Sequence, residues 1–282
     1  MSPDPSLLAA RVSAETGLAF VGTPGRDPDG SRWIELRPAD HPVSQTFTVR
    51  TMIGWRRLEV KFRPGSFAGD LISHMGQADE AQQRTFQSVL QSCREDSAEV
   101  QLALNGLSRD PEDAALWEDD WRSVELSIRR GMLTINDGDD DADMQQVSLW
   151  TCRVAAAVLS LLPLETDGED DPVASDVEGL PEGGKATIEV NRYERDRRNR
   201  SAALAIHGHS CKACDLDMGK RYGPAASGFI EVHHVTPVSE VGAGYIIDPR
   251  TDLVPLCPNC HSIAHRRSPP FSVAEIRAML SA

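Results

Sequence analysis

Up to about residue 164, apolar residues recur mainly at every second position. Leu58, Val60 and Phe62 alternate with mostly polar neighbours, as do Val100, Leu102 and Leu104, and again Val124, Leu126 and Ile128. A period of two places one set of side chains on one face, so each segment predicts a strand with a single buried face. Between the first two segments, Phe86, Val89, Leu90 and Cys93 switch to helical spacing. The Ala- and Leu-rich stretch Trp150–Leu162 predicts a second packed helix. The pattern predicts an α+β domain over residues 1–164, with no internal repeat.

The pattern then stops. Residues 165–184 are acidic, rich in Gly and Pro and nearly free of large apolar side chains, which predicts a flexible linker. A second domain is expected over residues 185–282. An earlier acidic run, Asn136–Asp143, lacks the glycine and closing glutamate spacing of an EF-hand, and a solvated loop is expected there.

The chain has 282 residues, a length that favours two domains, and its 40% apolar and 26% charged residues are ordinary globular usage. The longest near-continuous apolar stretch, Val154–Leu164, falls well short of the roughly 20 residues that cross a bilayer. The first residues lack the basic start and apolar segment of an export signal, so a cytoplasmic location without membrane attachment is expected. The net charge of -14 argues against a nucleic-acid partner, but the charge is unevenly spread. From Lys185 onward there are 13 Lys and Arg against 10 Asp and Glu; before it the counts are 16 and 33. The acidic excess belongs to the first part alone.

Four of the six cysteines form two Cys-x-x-Cys pairs, Cys211-Lys-Ala-Cys214 and Cys257-Pro-Asn-Cys260, separated by the 42 residues from Asp215 to Leu256. Two such pairs supply four thiolates for a closed, structural Zn²⁺ site that braces a small module. Cys93 and Cys152 have no partner motif and read as buried thiols. Between the pairs, Phe229-Ile-Glu-Val-His-His-Val-Thr-Pro reads as a strand running into two adjacent histidines, and His261 and His265 follow the last cysteine. Adjacent strand residues point to opposite sides, so one of His233 and His234 can bind a metal while the other activates water. His261 and His265, four apart, share a face if the chain turns helical after Cys257.

These residues resemble the HNH endonucleases of the ββα-metal fold, in particular the zinc-stapled group related to McrA-like restriction enzymes. The resemblance runs over about residues 185–282, from Tyr193-Glu-Arg-Asp through His207-Gly-His-Ser-Cys, Gly228-Phe-Ile-Glu-Val-His-His and Asp248-Pro-Arg-Thr-Asp to Ala264-His-Arg-Arg. It implies a general-base role for His234 and catalytic-metal ligation by His233 and His261. It places His265 on the phosphate or in the metal site. Asp252 stands where the family often has the asparagine that orients the base. It further implies a catalytic Mg²⁺, Mn²⁺ or Ni²⁺ beside the structural Zn²⁺, DNA as substrate, modified bases included, and backbone contacts from Arg195 and Arg200. Arg266 and Arg267, after the catalytic helix, are candidates for similar contacts.

The sequence thus predicts a metal-dependent DNA endonuclease acting in restriction, with an acidic amino-terminal domain that selects targets. Cutting both strands with one site per chain favours a homodimer. Two alternatives stand beside it: a zinc-stapled DNA-binding module without hydrolysis, and a nuclease held inhibited by its acidic domain. On the strand carrying Leu58, the opposite face with Arg57, Glu59, Lys61 and Arg63 reads as a solvated sheet face rather than a DNA-contacting ridge.

Overall fold

The computed structural model describes residues 3–39, 41–135, 138–162, 197–236 and 245–281. The predicted linker at residues 165–184 lies outside them, as does Arg195. In chain order the elements are α1 (Pro5–Thr16), β1 (Phe20–Arg26), β2 (Arg32–Pro38), β3 (Phe47–Gly54), β4 (Arg57–Pro64), α2 (Gly69–Gly76), α3 (Glu80–Glu95), β5 (Glu99–Leu104), β6 (Leu107–Arg109), β7 (Val124–Arg130) and α4 (Asp140–Leu161). After the undescribed segment come α5 (Arg197–His207), α6 (Met218–Tyr222), β8 (Glu231–His234), β9 (Leu253–Leu256), α7 (Pro258–Ala264) and α8 (Val273–Leu280).

The first seven strands form one antiparallel sheet in the order β1-β2-β3-β4-β7-β5-β6. β7 comes last in sequence but pairs between β4 and β5. The period-two pattern holds: Leu58, Val60, Phe62, Leu102, Leu104, Val124, Leu126 and Ile128 are buried in one core. The opposite face is polar and internally paired. Glu35 takes Arg50, Glu59 takes Lys61 and Arg129, and Glu99 takes Arg129, while Arg57 and Arg63 stand exposed on the same face.

Helix α3 starts at a capping box, in which Asp79 accepts from the Gln82 N–H and the Gln82 side chain returns to the Asp79 N–H. Its inward stripe contains the predicted Phe86, Val89, Leu90 and Cys93, all buried. Helix α4 is longer than its apolar stretch suggested. The last four residues of the acidic run expected as a loop, Asp140–Asp143, form its first turn instead, and Asp139 caps the Ala142 N–H, while Asn136 and Asp137 lie outside the described residues. The physical reason is the positive end of the helix, whose unpaired N–H groups and dipole favour carboxylates. Packing fixes the rest of α4, because large side chains buried on all its sides contribute about 1.5–3 kcal/mol each. Under the sheet, Thr151 donates to the Val147 carbonyl at 2.6 Å and meets Thr51 at 2.7 Å, so the Thr51 hydroxyl supplies the second proton.

Helix α5 joins this core to the carboxy-terminal one. Ala202 belongs to the first cluster, whereas Leu204 packs with Cys211, Ile230, Leu256 and Ile276 in the second. Buried Arg153 of α4 donates to the Ala205 carbonyl at 3.0 Å, pairs with Asp96 and lies 4.6 Å from the Trp150 ring centre. Beyond α5, a two-stranded antiparallel ladder pairs His233 with Val254 and His234 with Leu253, and α7 follows β9 directly. The described residues together are α+β, and this last unit is a small ββα arrangement.

A candidate metal centre in the carboxy-terminal unit

The four cysteines are brought together by two tight turns. Cys211 opens the first, whose chain reversal places Asp215 at φ 57° and closes with the Asp215 N–H on the Cys211 carbonyl at 2.9 Å. The Lys212 N–H donates to the Pro255 carbonyl at 2.9 Å, which ties this turn to β9. The second pair begins α7: Cys257 is its N-cap, Pro258 fills the first helical position where no N–H is required, and Cys260 lies in the first turn. Among the described residues, the four Sγ atoms lie within 4.8 Å of one another, with Cys214 and Cys257 3.7 Å apart. Tetrahedral Zn²⁺ with bonds of about 2.3 Å requires sulfurs about 3.8 Å apart, so the donor set fits that ion. Burial opposes ionisation of Cys211, but backbone N–H groups of Cys257, Cys214 and Ala213 outweigh it and bring the thiol down to about 7.

About one helical turn further on, a second cluster forms. His233, His261 and His265 bring their ligand nitrogens within 4.8 Å of one another. Their rings stand edge-on, with centres 5.2, 4.9 and 4.7 Å apart, and the Nε2 atoms of His261 and His265 are separated by 3.3 Å. Three imidazoles present neutral nitrogen donors and leave one side to solvent: His233 is buried, His261 is half-buried and His265 is exposed. Such a set fits a first-row divalent ion such as Ni²⁺ that keeps open positions, imidazole nitrogen being a better donor to it than to Mg²⁺. Glu231 pairs with Nδ1 of His261. A carboxylate on Nδ1 fixes the tautomer that directs the Nε2 lone pair toward His265. Glu231 was not singled out in the sequence, yet a signal existed: it precedes His233 by two residues and therefore shares its strand face.

His234 is half-buried and is not part of this cluster; as the strand neighbour of His233 it belongs to the opposite face of β8. The carbonyl of Asp252 accepts from the Val235 N–H at 2.8 Å, directly after His234. The Asp252 carboxylate accepts from the Tyr245 hydroxyl at 2.9 Å, the Asp248 N–H at 2.8 Å and the Thr251 hydroxyl at 3.1 Å. Those bonds hold the turn at residues 248–252. The Asp252 carboxylate in turn raises the pKa of the Tyr245 hydroxyl.

The arginines differ in use. Arg200 is half-buried and donates to the Ile230 carbonyl at 3.2 Å, supporting the entry to β8. Arg267 pairs with Glu275 at 2.9 Å and covers the Phe271 ring at 4.1 Å. Arg266 is exposed. Cys93 and Cys152 are both buried, and burial pushes their thiols up, to about 11 for Cys93.

Residues 211–267, the stretch that carries the four cysteines and the converging imidazoles of the ββα unit, match the model of the HNH endonuclease family. A stretch of 89 residues is 36% identical to the type IV methyl-directed restriction enzyme EcoKMcrA of Escherichia coli strain K12, covering 30% of each chain. No solved structure matches. Among the described residues, no helix is long and apolar enough to cross a membrane.

Proposed function

We propose that the chain is a metal-dependent DNA endonuclease that hydrolyses phosphodiester bonds in the restriction of foreign or modified DNA. The convergence of His233, His261 and His265 supports this most directly. In this reading His233 and His261 hold a divalent ion, Mg²⁺, Mn²⁺ or Ni²⁺, with His265 completing its ligand set or touching the phosphate. The ion supplies charge neutralisation at the phosphoryl oxygens and at the departing oxygen. His234 accepts the proton of the attacking water; a well-placed base contributes roughly 10²–10⁴-fold in rate. Asp252 holds the turn that fixes the backbone behind His234. Cys211, Cys214, Cys257 and Cys260 hold Zn²⁺, whose role is structural. Arg266, exposed beyond α7, contacts the DNA backbone.

The same reading assigns residues 1–164 as an acidic domain that selects the target and residues 185–282 as the nuclease domain. The likeness to a methyl-directed enzyme supports modified bases as the feature selected. A restriction role places the protein in the cytoplasm, where incoming DNA is met, and double-strand cutting favours a dimer.

The test is cleavage of matched unmodified, methylated, hydroxymethylated and glucosylated DNA in Mg²⁺, Mn²⁺ or Ni²⁺, with the wild type and His234→Ala. Metal-dependent nicking by the wild type, reduced about 10²–10⁴-fold in the variant, is expected. Equal nicking by both, or none on any DNA with any ion, overturns the assignment.

A further inference from the structure

The bonds that hold the turn before β9 begin far away in sequence, on helix α3. Ser88 and Glu95 lie seven residues apart, two turns along one stripe of that helix. The Ser88 hydroxyl donates to Oδ1 of Asp248 at 3.2 Å, across 160 residues of chain. The Arg250 guanidinium reaches both carboxylate oxygens of Glu95, at 2.6 and 2.7 Å. Oδ1 of Asp248 also accepts the Arg250 N–H at 3.0 Å, so α3 grips a single turn at two points. From there the Asp248 N–H donates to Asp252 at 2.8 Å, and the Asp252 carbonyl takes the Val235 N–H at 2.8 Å. His207 of α5 closes on the Pro249 carbonyl at 3.0 Å from the other direction.

We propose that α3 is a positioning element for the metal centre: Ser88 and Glu95 set the turn at residues 248–252, and through Asp252 they set the backbone of the strand that carries His233 and His234. This rests on the nuclease reading for its catalytic consequence. The amino-terminal sheet and the imidazoles are then mechanically joined, and any displacement of α3 reaches the site. The Glu95–Arg250 pair is solvent-accessible, with side-chain exposures of 51% and 25%, so it adds little to global stability. Its effect is local, and misplacement of reacting groups by about 1 Å is enough to cost roughly 10²-fold.

The experiment uses the zinc-loaded full chain as wild type, Glu95→Arg, Ser88→Ala and the charge swap Glu95→Arg/Arg250→Glu. Three quantities are compared: amide exchange at Val235 and Asp248, Mn²⁺ affinity by electron paramagnetic resonance, and cleavage rate with KM and kcat separated. In Glu95→Arg, exchange at both amides accelerates and Mn²⁺ affinity falls about 10–100-fold, the range for losing an outer support of a metal ligand. The cleavage loss appears in kcat, with KM for DNA and the unfolding midpoint nearly unchanged. Ser88→Ala shows the same changes in smaller measure, and the swap restores them. Unchanged exchange and Mn²⁺ affinity in Glu95→Arg, or a swap that restores neither, overturns the proposal. If exchange and Mn²⁺ affinity shift as described while no protein cleaves any DNA, the nuclease reading fails and the positioning role stands.

Discussion

Glu231 pairs through its carboxylate with Nδ1 of His261, although the two residues belong to different elements of the ββα unit. β8 therefore contributes to the imidazole cluster twice, once with the ring of His233 and once with the carboxylate that orients His261. Replacing Glu231 with Gln keeps the shape and removes the charge. Divalent-ion affinity should drop about 10–100-fold with zinc content unchanged. Titration calorimetry with Mn²⁺ measures it; affinity equal to wild type would show that the pair does not orient His261.

Arg200 and Arg266 should fail differently when changed to Ala. Arg200 donates to a backbone carbonyl at the entry to β8. Its loss should cost about 1.5–3 kcal/mol of stability, the range for a hydrogen bond from a charged group. Arg266 is exposed, and its loss should leave the melting temperature unchanged while lowering the salt slope of DNA binding by about 1. Unfolding curves and binding titrations at several salt concentrations separate the two; a stability loss at Arg266 with no change at Arg200 would reverse the assignment.

The six cysteines should fall into two reactivity classes. Burial raises the pKa of Cys93 to about 11 and pushes Cys152 up as well, so neither presents a thiolate near neutral pH. Chelation of zinc should expose Cys211, Cys214, Cys257 and Cys260 to a thiol reagent, while Cys93 and Cys152 react only after denaturant is added. Labelling of Cys93 in the folded zinc form would contradict the packing of α3.

Stability should depend on pH through His207. Its burial lowers its pKa from 6.5, against the pull of the Pro249 carbonyl. The unfolded chain then holds the proton more tightly than the folded one, so stability rises with pH across the interval between the lowered value and 6.5. The contribution is complete above 6.5 and disappears as pH falls through the lowered value. His207→Gln keeps an N–H for Pro249 and removes the titration. Denaturant midpoints at pH 5 and pH 7.5 should differ less in the variant than in the wild type, and identical differences would exclude His207 as a source.

The sequence by itself determined the strand faces and the candidate donor residues, because both are written in local spacing. A period of two marked Leu58, Val60 and Phe62 as inward, and the cysteine pairs with His233, His261 and His265 carried the donor atoms of two candidate metal sites at intervals that a hairpin and a helix bring together. What it left open depends on partners far apart along the chain. Asp139–Asp143 suit a solvated loop as well as the cap and first turn of a helix; the apolar length of α4 buried beneath the sheet decides for the helix, whose positive end then favours them. Likewise Ser88 and Glu95 are ordinary polar residues on a helix until the fold sets Asp248 and Arg250 against them. A side chain's spacing is a property of its own segment, but its hydrogen-bond partner is chosen by how whole elements pack.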